Sequence, residues 1–154
     1  MSATDRNAER VVATNRRARY DYAIEETWEA GMVLLGSEVK SLRAGRVTLS
    51  DGYIADFDDE LWMLNVHIAE YTFAHRDNHE PTRKRKLLLN RREIERITHR
   101  MATKGLTCIP IRIYFKGGRA KVEIGLGKGK KSYDKRHDLK AKDAKREMRD
   151  AREA

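Results

Sequence analysis

The chain has 154 residues, of which 40% are hydrophobic, so it can form one modest core with appendages but not two. Its net charge of +9 and its pI near 9.8 favour polyanionic partners. The lone Cys108 excludes an intrachain disulfide, and the absence of an N-terminal apolar stretch or an apolar run of about 18 residues argues against a secreted or membrane protein. We therefore expect a cytoplasmic protein.

The first half of the chain predicts short strands around one helix. Residues 1–14 have no clear period and are expected to form a flexible arm. A strand is predicted over residues 20–27, continuing or bending near Gly31 into residues 32–35. Ser37 is placed to cap a helix over residues 38–44, with Gly45 as its stop. Residues 52–57 and 61–69 then read as two strands joined by an acidic turn.

The second half carries the clearest local signals. A polar loop over residues 75–85 precedes a short strand at 86–89. Asn90 and Glu93 have the spacing of a capping box, so a helix is predicted from there to a stop at Gly105. Apolar residues alternate over 109–115 and again over 122–126, which predicts a β-hairpin. Pro110 near its start indicates an edge or a bulge.

These elements predict a mainly β protein with two or more short helices. About six strands with short antiparallel connections favour a closed or nearly closed OB-like barrel over residues 15–126. Residues 127–154 hold 11 basic and six acidic side chains and few apolar ones. We expect this tail to be disordered when free and helical on a partner.

Motifs that would indicate catalysis or metal binding are weak. The segment 125–131, rich in glycine and lysine, lacks the spacing of a Walker loop and reads as a flexible hinge able to follow an RNA backbone. His75 and His79 lack the cysteine pairs of a structural zinc site. The neighbours Glu25 and Glu26 should point to opposite faces of a strand, and the aspartates of residues 56–59 lie on a turn, so no acid–base pair is predicted.

Cationic segments are better candidates for function. The run of four basic residues from Arg83 to Lys86, followed by Arg91 and Arg92, favours RNA contact over a merely solvated surface. Tyr133 stands beside Asp134, Lys135 and Arg136, where an aromatic ring could stack on a base while its neighbours meet phosphates. Two alternatives remain open from the residues: a general single-stranded-RNA-binding OB module, and a small nuclease or nucleotide-dependent enzyme. We expect no cofactor and no metal.

Several strings resemble SmpB, the SsrA-binding protein family of bacterial trans-translation. They are Asn15-Arg-Arg-Ala18, Gly36-Ser-Glu-Val-Lys-Ser-Leu-Arg-Ala-Gly45, Arg85-Lys-Leu-Leu-Leu-Asn90, Ile124-Gly-Leu-Gly-Lys-Gly-Lys-Lys131 and Asp134-Lys-Arg136. They stand in the family's order and cover roughly residues 15 to 150. The resemblance implies a non-enzymatic adaptor, expected to be a monomer, with an OB-fold barrel. This barrel is expected to bind the tRNA-like domain of transfer-messenger RNA (tmRNA) and to deliver that RNA to stalled 70S ribosomes.

The resemblance also implies roles for individual residues. Glu38, Leu88 and Asn90 would belong to the RNA-binding cluster, with Glu38 accepting hydrogen bonds from bases, 2′-hydroxyls or a neighbouring basic side chain. Further tmRNA contacts are expected from a set of cations: Arg16, Arg17, Lys40, Arg43, Lys128, Lys130 and Lys131. The tail would occupy the decoding centre and the empty mRNA channel of the small subunit, through Tyr133, Asp134, Lys135, Arg136, Leu139, Lys142, Lys145 and Met148.

Overall fold

The computed structural model describes residues 9–72 and 78–130. The expected tail contacts from Lys131 to Met148 therefore lie outside the described residues, as do residues 1–8 and His75. The described elements, in chain order, are β1 (Glu9–Thr14), α1 (Ala18–Asp21), β2 (Tyr22–Met32), α2 (Gly36–Arg43), β3 (Val47–Thr48), β4 (Tyr53–Phe57), β5 (Glu60–Leu64), β6 (His67–Ile68), β7 (Arg85–Leu88), α3 (Arg91–Lys104), β8 (Thr107–Lys116) and β9 (Arg119–Gly129).

Six of the strands close into an antiparallel barrel. The order β8-β4-β5-β7-β2-β9 returns to its start because β9 also pairs with β8. One edge of the long strand β8 pairs with β9 along its length. Its other edge pairs with β4 at Cys108 and with β1 at residues 112–116. Closure gives each of these six strands a neighbour on both sides, although β2 meets β7 only at Gly31 and Met32. The prediction of a mainly β, OB-like barrel is confirmed.

The barrel interior is filled by alternate residues of its strands. On β5, for example, Leu61 and Met63 are fully buried, whereas Trp62 and Leu64, the residue after each of them, are partly exposed. This alternation is the period of two that extended backbone imposes on side chains. Burial of each large aliphatic side chain contributes roughly 1.5–3 kcal/mol. Other fully buried members of the core are Leu42, Ile68, Leu87, Ile97, Cys108, Ile113, Val122, Ile124 and Leu126.

The predicted local signals around α3 and the last hairpin are confirmed. The Asn90 side chain accepts a hydrogen bond from the Glu93 amide at 2.9 Å, and Gly105 ends the helix in the left-handed region at φ 62°. The hairpin of β8 and β9 forms as expected, with an irregular register between Pro110 and Arg112. None of the helices in the described ranges is long and apolar enough to span a membrane.

The two ends of the predicted barrel were placed wrongly. Glu9–Thr14 form strand β1 on β8, so the flexible arm expected over residues 1–14 is wrong for these six residues. At the other end β9 continues to Gly129, so the barrel does not stop at residue 126 and residues 125–129 are not a hinge. Glycine serves a different purpose there, because a Cβ on Gly127 would lie 2.5 Å from the carbonyl oxygen of Ala23. Gly127 allows β2 and β9 to approach closely.

Two further expectations need correction. Helix α2 begins at Gly36 with Leu35 at its N-cap position, so Ser37 is not the cap. The predicted second strand over 61–69 is broken at Asn65, which has a positive φ of 56°, into β5 and the separate short strand β6. Gly45 follows α2 with φ 73°, as its predicted role as a stop requires.

Candidate nucleic-acid-binding surface

Glu38 lies at the centre of a buried ion cluster. Its side chain is 0% exposed, and its carboxylate accepts hydrogen bonds from Arg83 at 2.5 Å and from Arg85. It also accepts from the amide of Leu35 at 2.8 Å, which satisfies a donor at the start of α2. The sequence left three kinds of hydrogen-bond donor open for Glu38: bases, 2′-hydroxyls and neighbouring basic side chains. In the structure the donors are the basic side chains of Arg83 and Arg85. The carboxylate is therefore not accessible to an RNA on the surface of the barrel.

Arg85 completes the cluster from β7. Its guanidinium is fully buried and donates to Glu38, to the Val66 carbonyl at 2.8 Å and to the Pro81 carbonyl at 3.0 Å. Burial lowers the pKa of Arg85 from its ordinary value, although Glu38 opposes this shift. Burial by itself would raise the pKa of Glu38, but the hydrogen bonds from Arg83, Leu35 and Arg85 outweigh it and hold that pKa below its ordinary value. The pair is therefore charged.

The basic run from Arg83 to Lys86 is divided between two faces by the period of the strand. Arg83 and Arg85 turn towards Glu38, whereas Lys84 and Lys86 turn to the outside of the barrel. The side chain of Arg83 remains 30% exposed. Sequence reasoning treated the run as one cationic patch and missed that its arginines hold a buried carboxylate. The alternation of arginine and lysine was the signal that could have revealed it.

His79 is part of the same buried neighbourhood, where protein atoms contact both of its ring nitrogens. Its Nδ1 lies 2.8 Å from the Ser37 hydroxyl and its Nε2 lies 2.8 Å from the Ile68 carbonyl oxygen. With an N–H donated to that carbonyl, the other nitrogen accepts from Ser37. Both ring nitrogens are thus engaged. Within residues 9–72 and 78–130, no three His, Cys, Asp or Glu side chains form a group that could hold a metal ion.

Exposed candidates lie on α2, which carries Glu38, and after Arg85 at the end of β7. Lys40 and Arg43 project from α2, with Lys40 Nζ 5.5 Å from the Tyr71 ring and the Arg43 guanidinium 5.4 Å from the Phe115 ring. Leu88 at the end of β7 is 53% exposed, an unusual position for a large apolar side chain. Asn90 is also exposed, although its oxygen caps α3 and its amide donates to the Glu93 carboxylate at 3.1 Å.

A second group of candidates lies at the other end of β2. Asn15 anchors the loop that carries Arg16 and Arg17, since its amide nitrogen atoms donate to the carbonyls of Ile111 at 2.6 Å and Pro110 at 3.0 Å. Lys128 pairs with Ala23, near the start of β2, and the Lys130 ammonium donates to the Arg19 carbonyl at 2.9 Å.

The spacing between the two groups follows from the register of β2. Leu88 pairs with Gly31 at the end of this strand, and Lys128 pairs with Ala23 near its beginning. Eight residues of extended chain span about 26 Å. Lys40 and Arg43 therefore share a helix with Glu38, and Leu88 and Asn90 follow the strand residue Arg85 that binds Glu38. Lys128 lies about a barrel's length from Leu88, on the side of Arg16, Arg17 and Lys130.

The acidic pair on β2 has a structural role that the sequence did not reveal. A bulge between Ile24 and Glu26 places Glu25 and Glu26 on the same side, so the expectation of opposite faces is wrong. Arg100 of α3 bridges them, at 2.6 Å from Glu25 and 2.5 Å from Glu26. Arg96 adds a second contact to Glu26 at 3.0 Å. These ion pairs fasten α3 to the barrel and engage both carboxylates with arginines.

Comparison with known proteins decides the family. The family model described as SmpB protein matches residues 12–154. This chain belongs to the SmpB family. An SsrA-binding protein of Roseiflexus castenholzii is 58% identical to it over 139 residues, which is 90% of this chain and 88% of the relative. One from an Anaeromyxobacter species is 54% identical over 140 residues, covering 91% and 85%.

A solved structure agrees with this SmpB assignment. It is described as "tmRNA-SmpB: a journey to the center of the bacterial ribosome", and one of its chains matches this one with a TM-score of 0.66 and 49% sequence identity. The match covers 78% of this chain and 85% of that chain. The SmpB resemblance found in the sequence is thereby confirmed.

Proposed function

We propose that this chain is the tmRNA-binding adaptor of trans-translation. It binds the tRNA-like domain of tmRNA, delivers that RNA to stalled ribosomes, and places its C-terminal tail in the decoding centre and the empty mRNA channel. The observation that carries the proposal is the family match over residues 12–154, which includes the barrel and the basic tail together. An adaptor of this family acts as an RNA-binding protein and not as an enzyme, in the bacterial cytoplasm, where ribosomes work.

The proposed tmRNA surface consists of exposed side chains on α2 and at the end of β7. Lys40 and Arg43 supply charge for phosphates, and the exposed Leu88 supplies an apolar contact for an unstacked base. Asn90 supplies polar atoms beside Leu88. Glu38 itself acts indirectly, because it holds Arg83 in place and fixes the start of α2.

The second group of cations extends the proposed RNA contact to the other end of β2. Arg16 and Arg17 are exposed beside α1, and Lys128 is exposed on β9. A tRNA-like domain is a folded RNA with several phosphate-lined faces, so contacts about 26 Å apart suit it better than they suit a short oligonucleotide. Lys130 and Lys131 continue this group towards the tail.

The proposed ribosomal role of the tail rests on the family assignment and on its charge. Tyr133 would stack on a ribosomal base, with Asp134, Lys135 and Arg136 as polar neighbours. Leu139, Lys142, Lys145 and Met148 would lie on a helix in the mRNA channel. A full message would occupy that channel and exclude the tail, so this competition would select stalled ribosomes.

Truncation after Lys130 tests the division of labour. This boundary keeps all of β9, whereas a cut after Leu126 would remove three residues that pair with β2. The truncated barrel should keep its affinity for a transcript of the tRNA-like domain, and it should lose peptide tagging on ribosomes stalled at a truncated message. A full-length chain with residues 131–154 scrambled is the matched control for charge and length. Equal loss of both activities after truncation would contradict the proposal.

Salt dependence and competition test the RNA specificity. With about six phosphate contacts, affinity for the tRNA-like domain should fall about a thousandfold between 50 and 200 mM salt. Unstructured RNA of the same length should compete poorly. If it competes as well as the tRNA-like domain, the chain is a general single-strand-binding module instead.

A further inference from the structure

The outer face of the sheet formed by β4, β5 and β7 carries two aromatic rings among lysines. Register places Trp62 opposite Ala55 on one side and opposite Lys86 on the other, and Phe57 opposite Glu60. The residues between them, Leu61 and Met63, are buried in the core, so the alternating side chains face outward. We call Phe57, Trp62, Lys84 and Lys86 the aromatic–lysine face.

The rings of this face are held in place. Lys84 Nζ lies 5.0 Å from the centroid of the Trp62 ring and 5.9 Å from that of Phe57, within the range of cation–π attraction. The Trp62 indole donates to the Phe57 carbonyl at 3.3 Å. Asp58 and Asp59, both with positive φ, form the tight turn between the two rings. Phe57 nevertheless remains 48% exposed, so the arrangement presents its apolar surface instead of burying it.

The aromatic–lysine face is continuous with the surface assigned to RNA. Lys84, Lys86 and Leu88 alternate along the same stretch of chain and point the same way, while Arg85 and Leu87 between them are buried. Leu88 belongs to the proposed tmRNA surface. An RNA that covers Leu88 therefore lies close to Lys86, two residues earlier on β7, and to Trp62, which pairs with Lys86. Single exposed apolar residues are common, but here the exposed Phe57 and Leu88 and the partly exposed Trp62 share one outer face with Lys84 and Lys86.

We propose that the aromatic–lysine face is a stacking platform for unpaired bases of the tmRNA that the chain binds. Exposed rings accept bases of any sequence on their π-faces, and neighbouring lysines meet the phosphates. The proposal rests on the proposed function and deepens it. Three adjacent strands span about 10 Å, enough for roughly two stacked bases. The acidic turn at Asp58 and Asp59 repels phosphate, so the RNA backbone passes on the β7 side, over Lys84 and Lys86.

Substitutions at Trp62 separate stacking from packing. Trp62→Leu keeps an apolar side chain and removes the ring, and Trp62→Phe keeps a ring. With a transcript of the tRNA-like domain as probe, Trp62→Leu should weaken binding between about fivefold and about a hundredfold. Trp62→Phe and the surface control Lys104→Ala should stay within about twofold of the original chain. Thermal unfolding of each variant establishes that it is folded at the assay temperature.

Fluorescence gives a second readout, because the chain has only two tryptophans, Trp28 and Trp62. In a Trp28→Phe variant the remaining emission comes from Trp62, and saturating RNA should quench it. In a Trp62→Phe variant the emission comes from Trp28, which packs against the hydrophobic core and is not part of the aromatic–lysine face, so the same RNA should quench it much less.

The outcomes distinguish failure of this inference from failure of the proposed function. If Trp62→Leu binds like the original chain while Leu88→Ala loses affinity, the platform is refuted and tmRNA binding stands. Equal loss in Trp62→Leu and Trp62→Phe refutes stacking as the cause. If ribosome association depends on Trp62 and tmRNA affinity does not, the face meets a different partner and the inference is overturned. If the original chain does not bind the transcript, the proposed function itself fails.

Discussion

Replacing Glu38 by alanine should destabilise the barrel more than it removes an RNA contact. The substitution leaves Arg85 fully buried, with only the carbonyls of Val66 and Pro81 to accept from it. Removing one partner of a buried pair costs about 3–5 kcal/mol, because the other charge remains uncompensated. At roughly 4 °C per kcal/mol for a domain of this size, the melting temperature should fall by about 12–20 °C. This loss is a large fraction of a typical stability of about 5–15 kcal/mol.

Urea denaturation followed by tryptophan fluorescence measures this change. Two controls bracket it. Glu95→Ala removes an exposed carboxylate from α3 and should change stability by about 0.5 kcal/mol or less. The double variant Glu38→Leu with Arg85→Met replaces both charges by apolar groups and should lose less than Glu38→Ala alone. If Glu38→Ala lost RNA affinity while its unfolding free energy stayed within about 1 kcal/mol of the original, a fraction of the cost expected for breaking a buried pair, direct contact with RNA would be the better explanation.

Three other measurements follow from the buried groups and from one close approach of strands. The pKa of Glu38 is lowered on folding despite its burial, so its stabilisation is complete above the ordinary value of 4.5 and is lost as the pH falls through the folded value. Acid should therefore lower the urea midpoint more in the original chain than in Glu38→Gln, and parallel curves would contradict this. Gly127→Ala should cost about 1–3 kcal/mol, because its Cβ would meet the Ala23 backbone, whereas Gly129→Ala, with open space around it, should cost less. Finally, burial raises the pKa of Cys108 to about 12, so a thiol reagent should label it at the rate of unfolding, and fast labelling of the native chain would refute its placement.

Local chemistry made parts of the fold predictable. The helix α3 could be read from Asn90, Glu93 and Gly105 because capping and stopping depend on a few adjacent residues. The hairpin of β8 and β9 could be read from alternation because both of its strands carry one apolar face. The number of predicted strands and their short connections favoured the barrel, and the family strings then supplied its RNA partner, which no local pattern could have supplied.

Structural features that depend on residues far away in the sequence could not be predicted from local patterns. Strand β1 has a weak period because it lies at an edge, where only one side of the strand meets the barrel. The glycines of residues 125–129 suggested a hinge, since a sequence does not state that Ala23 approaches Gly127 from about 100 residues earlier. Glu38 was expected on the RNA-binding surface of the barrel, whereas its side chain is buried. Its burial follows from Arg83 and Arg85, which lie 45 and 47 residues away.

The closing seam of the barrel has a consequence for biosynthesis. Strand β2 is synthesised early, yet its main partner is β9. The pairing of Tyr22 with Gly129 can therefore form only after residue 129 has been synthesised. Until β9 has left the ribosome, β2 and β8 each lack a neighbour, and the sheet cannot become a cylinder. Pairings this remote in sequence fold slowly and cooperatively. A nascent chain interrupted before residue 119 would therefore expose open strands to the quality-control machinery of the cell, instead of surviving as a partly working RNA-binding protein.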